Sequence, residues 1–164
     1  LVLTIMERRR AMIAFKRILF PVDLSETSPQ LVSCVTIMAE KFDAQIHLLF
    51  VARVFEYFTS IYVPHPTVDR FERDVVAGAT QRLEEFRQEF FKDYPATRAQ
   101  VVSGDICEQI LNYAQSENID LIIMGTHGRK GIDKIVFGSV AERISKSAVI
   151  PVLLVKPFKT GVTP

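Results

Sequence analysis

Asp120-Leu121-Ile122-Ile123-Met124-Gly125 is an unbroken apolar run that starts at a charge and stops at a glycine. With no polar face, it reads as a strand covered on both sides rather than as a half-exposed one. Downstream, Ser139 to Ser147 reads as a helix and Val149 to Val155 as another apolar strand. Two buried strands joined by a helix make a βαβ unit, whose strands run parallel.

The same alternation extends back to the start of the chain. Ile18-Leu19-Phe20-Pro21-Val22 reads as a buried strand ending at Asp23. Ser28-Pro29 follows as a helix N-cap with proline in the first helical position, and Leu31, Cys34, Val35, Met38 and Phe42 recur at helical spacing. Ile46 to Val54 is a second strand. A long helix spans about Val68 to Lys92, with Phe71, Val75, Ala79, Leu83, Phe86 and Phe90 on one face and Pro95 beyond its end. Arg98 to Val102 is a third strand. Gly104-Asp105 opens the next helix, with Asp105 and Glu108 in capping-box spacing and Ile106, Ile110 and Ala114 on the buried face. The expected fold is therefore a doubly wound five-stranded parallel sheet with helices on both faces, and any ligand belongs at the carboxyl ends of the strands.

Composition narrows the function. With 164 residues the chain suits one domain, expected over 15–158 between tails at 1–14 and 159–164. A net charge of +1 gives no field to gather nucleic acid or an acidic membrane, so neither is an expected partner. The basic cluster Glu7-Arg8-Arg9-Arg10 reads as a solvated tail. The run from Ile46 to Val63 carries His47, Arg53 and Glu56 and meets Pro64, so it fails as a membrane span. Neither does the start resemble a signal peptide. Cys34 and Cys107 form no CxxC pair and read as small core side chains, which suits a cytoplasmic protein. Residues 55–67, with Phe55, Tyr57, Phe58, Ile61 and Tyr62, read as a connection folded over the core, or as a lid or partner surface.

The chemistry concentrates after the strand at 120–124. Gly125 and Gly128 bracket its carboxyl end, where glycine allows positive φ and close approach of a ligand to the backbone. Gly138-Ser139 precedes the last helix, with Ser139 and Glu142 in capping-box spacing. Unpaired N–H groups at a helix start attract phosphate. The spacing is neither that of a P-loop nor GxGxxG. Arg129 or Lys130 can neutralise phosphate charge, and both equally suit a solvated loop; His127 has no metal-ligand partner at suitable spacing.

Gly125-x2-Gly128-x9-Gly138-Ser139 is similar to the signature of ATP-binding universal stress proteins. The likeness covers residues 15 to 157: Ile18 to Asp23 with Ser25 resembles the family's opening strand and P-x-D-x-S turn, Leu48 to Val51 its second strand, and Pro151 to Val155 its closing strand. It implies a Rossmann-like, adenine nucleotide alpha hydrolase-like fold that takes ATP, with or without Mg²⁺. On that likeness Asp23 and Val51 flank the adenosine, Pro21 shapes the same wall, and Val22 counts among the nucleotide-binding residues. Met124, Gly125 and Gly128 lead to the phosphates, held at Gly138, Ser139 and Val140, and Arg129 counts among the nucleotide-binding residues. Ala141 stands where some ATP-binding members carry a hydroxyl, which removes one phosphate contact the likeness would otherwise imply. A homodimer through Pro151 to Val155 is also implied.

The leading expectation is a nucleotide-dependent regulatory module of the stress response and not an enzyme. Its alternatives are a slow ATPase, with Asp23 as the only strong acidic candidate, and an interaction protein with an empty pocket.

Overall fold

The computed structural model describes residues 14–53, 65–126 and 138–157. In chain order the elements are β1 (Arg17–Pro21), α1 (Ser28–Phe42), β2 (Gln45–Ala52), α2 (His65–Phe90), β3 (Thr97–Ser103), α3 (Ile106–Ser116), β4 (Leu121–Gly125), α4 (Ser139–Ser147) and β5 (Val152–Val155). Every ladder is parallel, and the order across the sheet is β3-β2-β1-β4-β5. This is the doubly wound α/β architecture that the apolar runs predict.

Period-two alternation sorts the strand side chains between two cores. Ile18, Phe20, Ile46, Leu48 and Ile123 pack with Leu31, Val35 and Ala39 of α1 and with Leu83 and Phe86 of α2. Leu19, Leu49, Ile122 and Met124 pack with Ile110 and Ala114 of α3 and with Ala141 and Ile144 of α4. One helix pair therefore covers each face. Cys107 is buried in the second core and Cys34 is half-buried on α1; both are free thiols. Burial pushes the Cys107 thiol up, away from reactive thiolate. Among the described residues, no helix is long and apolar enough to cross a membrane.

Several element boundaries differ from the sequence expectation. Thr27, not Ser28, is the N-cap of α1, and it makes no side-chain capping bond. Ser28 is the first helical residue, and its buried hydroxyl donates to Asp23 instead. Helix α2 starts at His65, so residues 65–67 of the expected aromatic connection are helical, with Pro66 tolerated in the first turn. Strand β5 starts only at Val152, where its register with β4 begins, and Val149 is fully exposed. Residues 1–13, 54–64 and 159–164, which hold most of both expected tails and of the aromatic connection, lie outside the described residues. The cap of α3 matches expectation: Asp105 Oδ1 accepts the Glu108 N–H at 3.0 Å.

Candidate functional site

The strand order reverses between β1 and β4, and there the sheet parts. The β1–β2 ladder runs from Arg17–Gln45 to Pro21–Leu49, and the Val22 N–H continues it to the Leu49 carbonyl at 2.9 Å. On the other side, β4 keeps β5 through Gly125–Val155, and the Thr126 N–H reaches the Val155 carbonyl at 2.9 Å. Between them the β1–β4 register extends only over Ile18–Leu121 and Leu19–Ile122. Each central strand thus keeps its outer neighbour and leaves its inner one. Pro21 has no N–H to continue that inner ladder. The carboxyl ends, Pro21-Val22-Asp23 and Met124-Gly125-Thr126, flank the gap, which is where open α/β sheets hold ligands.

The sequence-predicted residues divide around this gap. Val51 and Met124 share the second core with Ala141, and Val140 packs against it, so these residues meet on the α3–α4 side. Val22 does not join them. Its side chain is buried in the opposite core, and its N–H turns to Leu49 of β2. Pro21 and Gly125 are half-buried at their strand ends.

Asp23 is fixed by the turn that follows β1. Its Oδ1 accepts the Ser25 N–H at 3.0 Å, the Ser25 hydroxyl at 2.6 Å and the Ser28 hydroxyl at 2.8 Å. A carboxylate bonding the N–H two residues on is an Asx-turn, which here directs the chain into α1. Between them Leu24 takes φ 55°, in the left-handed region that a branched side chain seldom occupies. The half-buried Leu24 side chain packs on the first core. The Thr27 hydroxyl is 2.8 Å from that of Ser25, so four polar side chains lock the turn.

At the other side of the gap, the Gly138 N–H donates to the Thr126 carbonyl at 2.6 Å, joining the end of β4 to the start of α4. Gly138 is the N-cap of α4, with φ −70° and ψ 155°, and as a glycine it makes no side-chain capping bond. The expected Ser139–Glu142 capping box is absent. Ser139 is the first helical residue, and Glu142 is drawn one turn along to Lys146 Nζ at 2.6 Å, which holds its carboxyl below the usual range. The first N–H groups of α4 have no acceptor within the helix itself. Neither Gly125, extended as the last residue of β4, nor Gly138 uses positive φ; Gly104 does, at 134°. Gly128, Arg129, His127, Lys130 and Asp133 lie outside the described residues.

Sequence reasoning missed three features. Thr126 is buried at the mouth of the gap. Arg143 of α4 reaches Asp105 at the start of α3. Buried His47 has Nδ1 3.0 Å from the Tyr113 hydroxyl and Nε2 2.9 Å from Gln45 Oε1. Since Oε1 only accepts, Nε2 carries the proton and Nδ1 accepts from Tyr113. Burial first, and Arg98 second, hold His47 below its ordinary pKa. The serines after Asp23 offered a signal at hydroxyl-capping spacing; the other pairs are too distant in sequence for any local pattern.

The model of the universal stress protein family matches residues 14–156. Universal stress protein MJ0531 of Methanocaldococcus jannaschii is 31% identical over 153 residues, covering 88% of this chain and 84% of that protein. The solved structure of MJ0577, a universal stress protein of the same organism, superimposes with a TM-score of 0.77 at 27% identity, covering 90% of this chain and 99% of that one. Two more distant universal stress proteins share the fold and were solved with nucleotides. One, in complex with cAMP, has a TM-score of 0.54 at 18% identity and covers 88% of this chain and 99% of its own. The other, from Archaeoglobus fulgidus in complex with dAMP, has a TM-score of 0.55 at 14% identity and covers 87% and 99%. With the family model spanning nearly the whole described fold, the chain belongs to the universal stress protein family.

Proposed function

We propose that this chain binds ATP at the parted carboxyl ends of β1 and β4 and acts as a nucleotide-dependent regulatory module of the stress response. The observation that carries this reading is the Gly138–Thr126 hydrogen bond, which sets the start of α4 beside the gap. Exposed helix N–H groups carry partial positive charge and suit phosphate oxygens. Gly138, Ser139 and Val140 would hold the phosphates, with Gly125 on the approach and Gly128 and Arg129 contributing from the segment between. Val51 would meet the adenine edge through its backbone, Met124 would lie on the approach to the phosphates, and Asp23 would make the polar contact to ribose or base. The complexes of relatives with cAMP and dAMP support an adenine nucleotide as the ligand class. Among the described residues, no cluster of three or more His, Cys, Asp or Glu could hold a metal ion.

The chain holds nucleotide rather than turning it over. A γ-phosphate hydrolase needs a residue free to orient the attacking water. Asp23 Oδ1 is already committed to Ser25 and Ser28. The protein works in the cytoplasm as a homodimer joined through the β5 edge.

The test is to denature the purified protein in acid and record the mass and ultraviolet spectrum of what is released, followed by calorimetry with ATP, AMP and adenosine. An adenine absorbance, and ATP bound at least about tenfold more tightly than adenosine, is the expected result. Equal affinity for ATP and adenosine would remove the phosphate site.

A further inference from the structure

Arg143 lies one turn into α4, yet its head group is held at the start of α3. Nη1 is 3.4 Å from Asp105 Oδ2 and Nη2 is 3.4 Å from Asp105 Oδ1. Helices α3 and α4 follow the parallel strands β3 and β4, so both begin at the carboxyl edge of the sheet, where the candidate nucleotide site lies. The guanidinium is thus kept between two helix starts at that edge.

Three features make the Asp105–Arg143 pair exchangeable. Both contacts are long and both side chains are exposed, the kind of ion pair that contributes little to stability. Asp105 has an independent partner in the Glu108 N–H, so α3 stays capped when Arg143 leaves. A phosphate offers a guanidinium the same planar pair of acceptors with more negative charge. Long side chains on a helix run back toward its N-terminus, so Arg143 can reach the start of α4. The other base on that helix, Lys146, is already engaged by Glu142 at 2.6 Å.

We infer that Arg143 sets the preference for nucleoside triphosphate over monophosphate, by exchanging Asp105 for the terminal phosphates of a nucleotide seated at the start of α4. The inference rests on the nucleotide-binding reading above. The phosphate nearest the ribose is common to AMP and ATP; only the further phosphates of ATP extend to an arginine beyond the helix start. Asp105 is then an internal competitor, and weakening it strengthens triphosphate binding.

Calorimetry with ATP and with AMP on the full chain tests this, comparing the unaltered protein with Arg143→Gln, Arg143→Lys and Asp105→Asn. Arg143→Gln should weaken ATP about fivefold to tenfold while AMP stays within about twofold. Arg143→Lys should recover part of that loss, because it keeps the charge without the paired donors. Asp105→Asn, still an N-cap residue, should tighten ATP and leave AMP unchanged. Parallel losses for ATP and AMP in Arg143→Gln would mean a structural role, and no change in either would mean no role; both overturn the inference while leaving the site intact. Failure of the unaltered chain to bind either nucleotide overturns the nucleotide reading itself, and the inference with it.

Discussion

The Gly138 N–H donates to the Thr126 carbonyl at 2.6 Å, so the two ends of the segment 127–137 meet beside the gap between β1 and β4. A main-chain bond does this, independently of the side chains between. That side of the gap is therefore bounded by the end of β4 and the start of α4.

That geometry makes Gly138→Val informative. The φ of −70° and ψ of 155° at Gly138 are open to any residue, so valine should not unfold the chain. The loss of a good N-cap residue should cost no more than about 1 kcal/mol. A branched side chain would nonetheless stand where phosphate oxygens must approach the helix N–H groups. The expected outcome is an unchanged circular dichroism spectrum, with ATP affinity reduced at least about tenfold by calorimetry. Normal binding by a folded variant would move the phosphate site elsewhere.

Much of this geometry was legible in the sequence, for a specific reason. Strands such as Leu121–Gly125 are buried on both faces and so read as unbroken apolar runs. The adjacency of β1 and β4 was not legible, because strand order is set by long-range packing and leaves no local period. Ser28 illustrates a different limit. Ser-Pro reads as a cap followed by the first helical residue, yet the hydroxyl is taken by Asp23, and the cap moves to Thr27. Similarly, Glu142 stands at capping-box spacing from Ser139 but pairs with Lys146. In each case a tertiary or next-turn partner outcompeted the local one.

Turnover should be slow. With Asp23 Oδ1 engaged by Ser25 and Ser28, phosphate release in metal-replete buffer should stay well below about 1 per second. A steady-state assay on the unaltered chain and on Asp23→Asn checks it. Robust release that disappears in the variant would make the chain an ATPase.

Stability should depend on pH through His47. Its folded pKa lies below the ordinary 6.5, chiefly because burial disfavours the charged ring and, next, because Arg98 and Arg17 repel it; Glu117 opposes them. As pH falls through 6.5, the unfolded chain therefore takes up a proton before the folded chain does. Where the unfolded state binds more protons, stability falls with falling pH. The contribution is complete above 6.5 and declines below it, until folded His47 titrates as well. Urea unfolding between neutral and mildly acidic pH should record the decline, and His47→Leu should flatten it over this window. A slope unaltered by that substitution would assign the effect to other groups.

The last prediction concerns assembly. Strand β5 ends the sheet order, so its outer edge has no strand neighbour among the described residues, while its inner edge is registered with β4 from Ile122–Val152 to Gly125–Val155. All four of its residues are half-buried, and the fully exposed Val149 stands just before them. An apolar edge with unpaired N–H and C=O groups invites another strand. A second copy, paired antiparallel across a twofold axis, closes the edge without opening a filament. Proline at 157 then limits the length of the pairing. Light scattering at micromolar concentration should give twice the 18.6 kDa chain mass. Leu153→Pro should abolish the pairing, and because it also strains the β4 ladder, Val149→Glu provides a check that spares the fold. The exposed position tolerates the charge in a monomer, whereas two such charges near a shared edge should shift the dimer toward monomer. An unaltered dimer in both variants would move the interface away from β5.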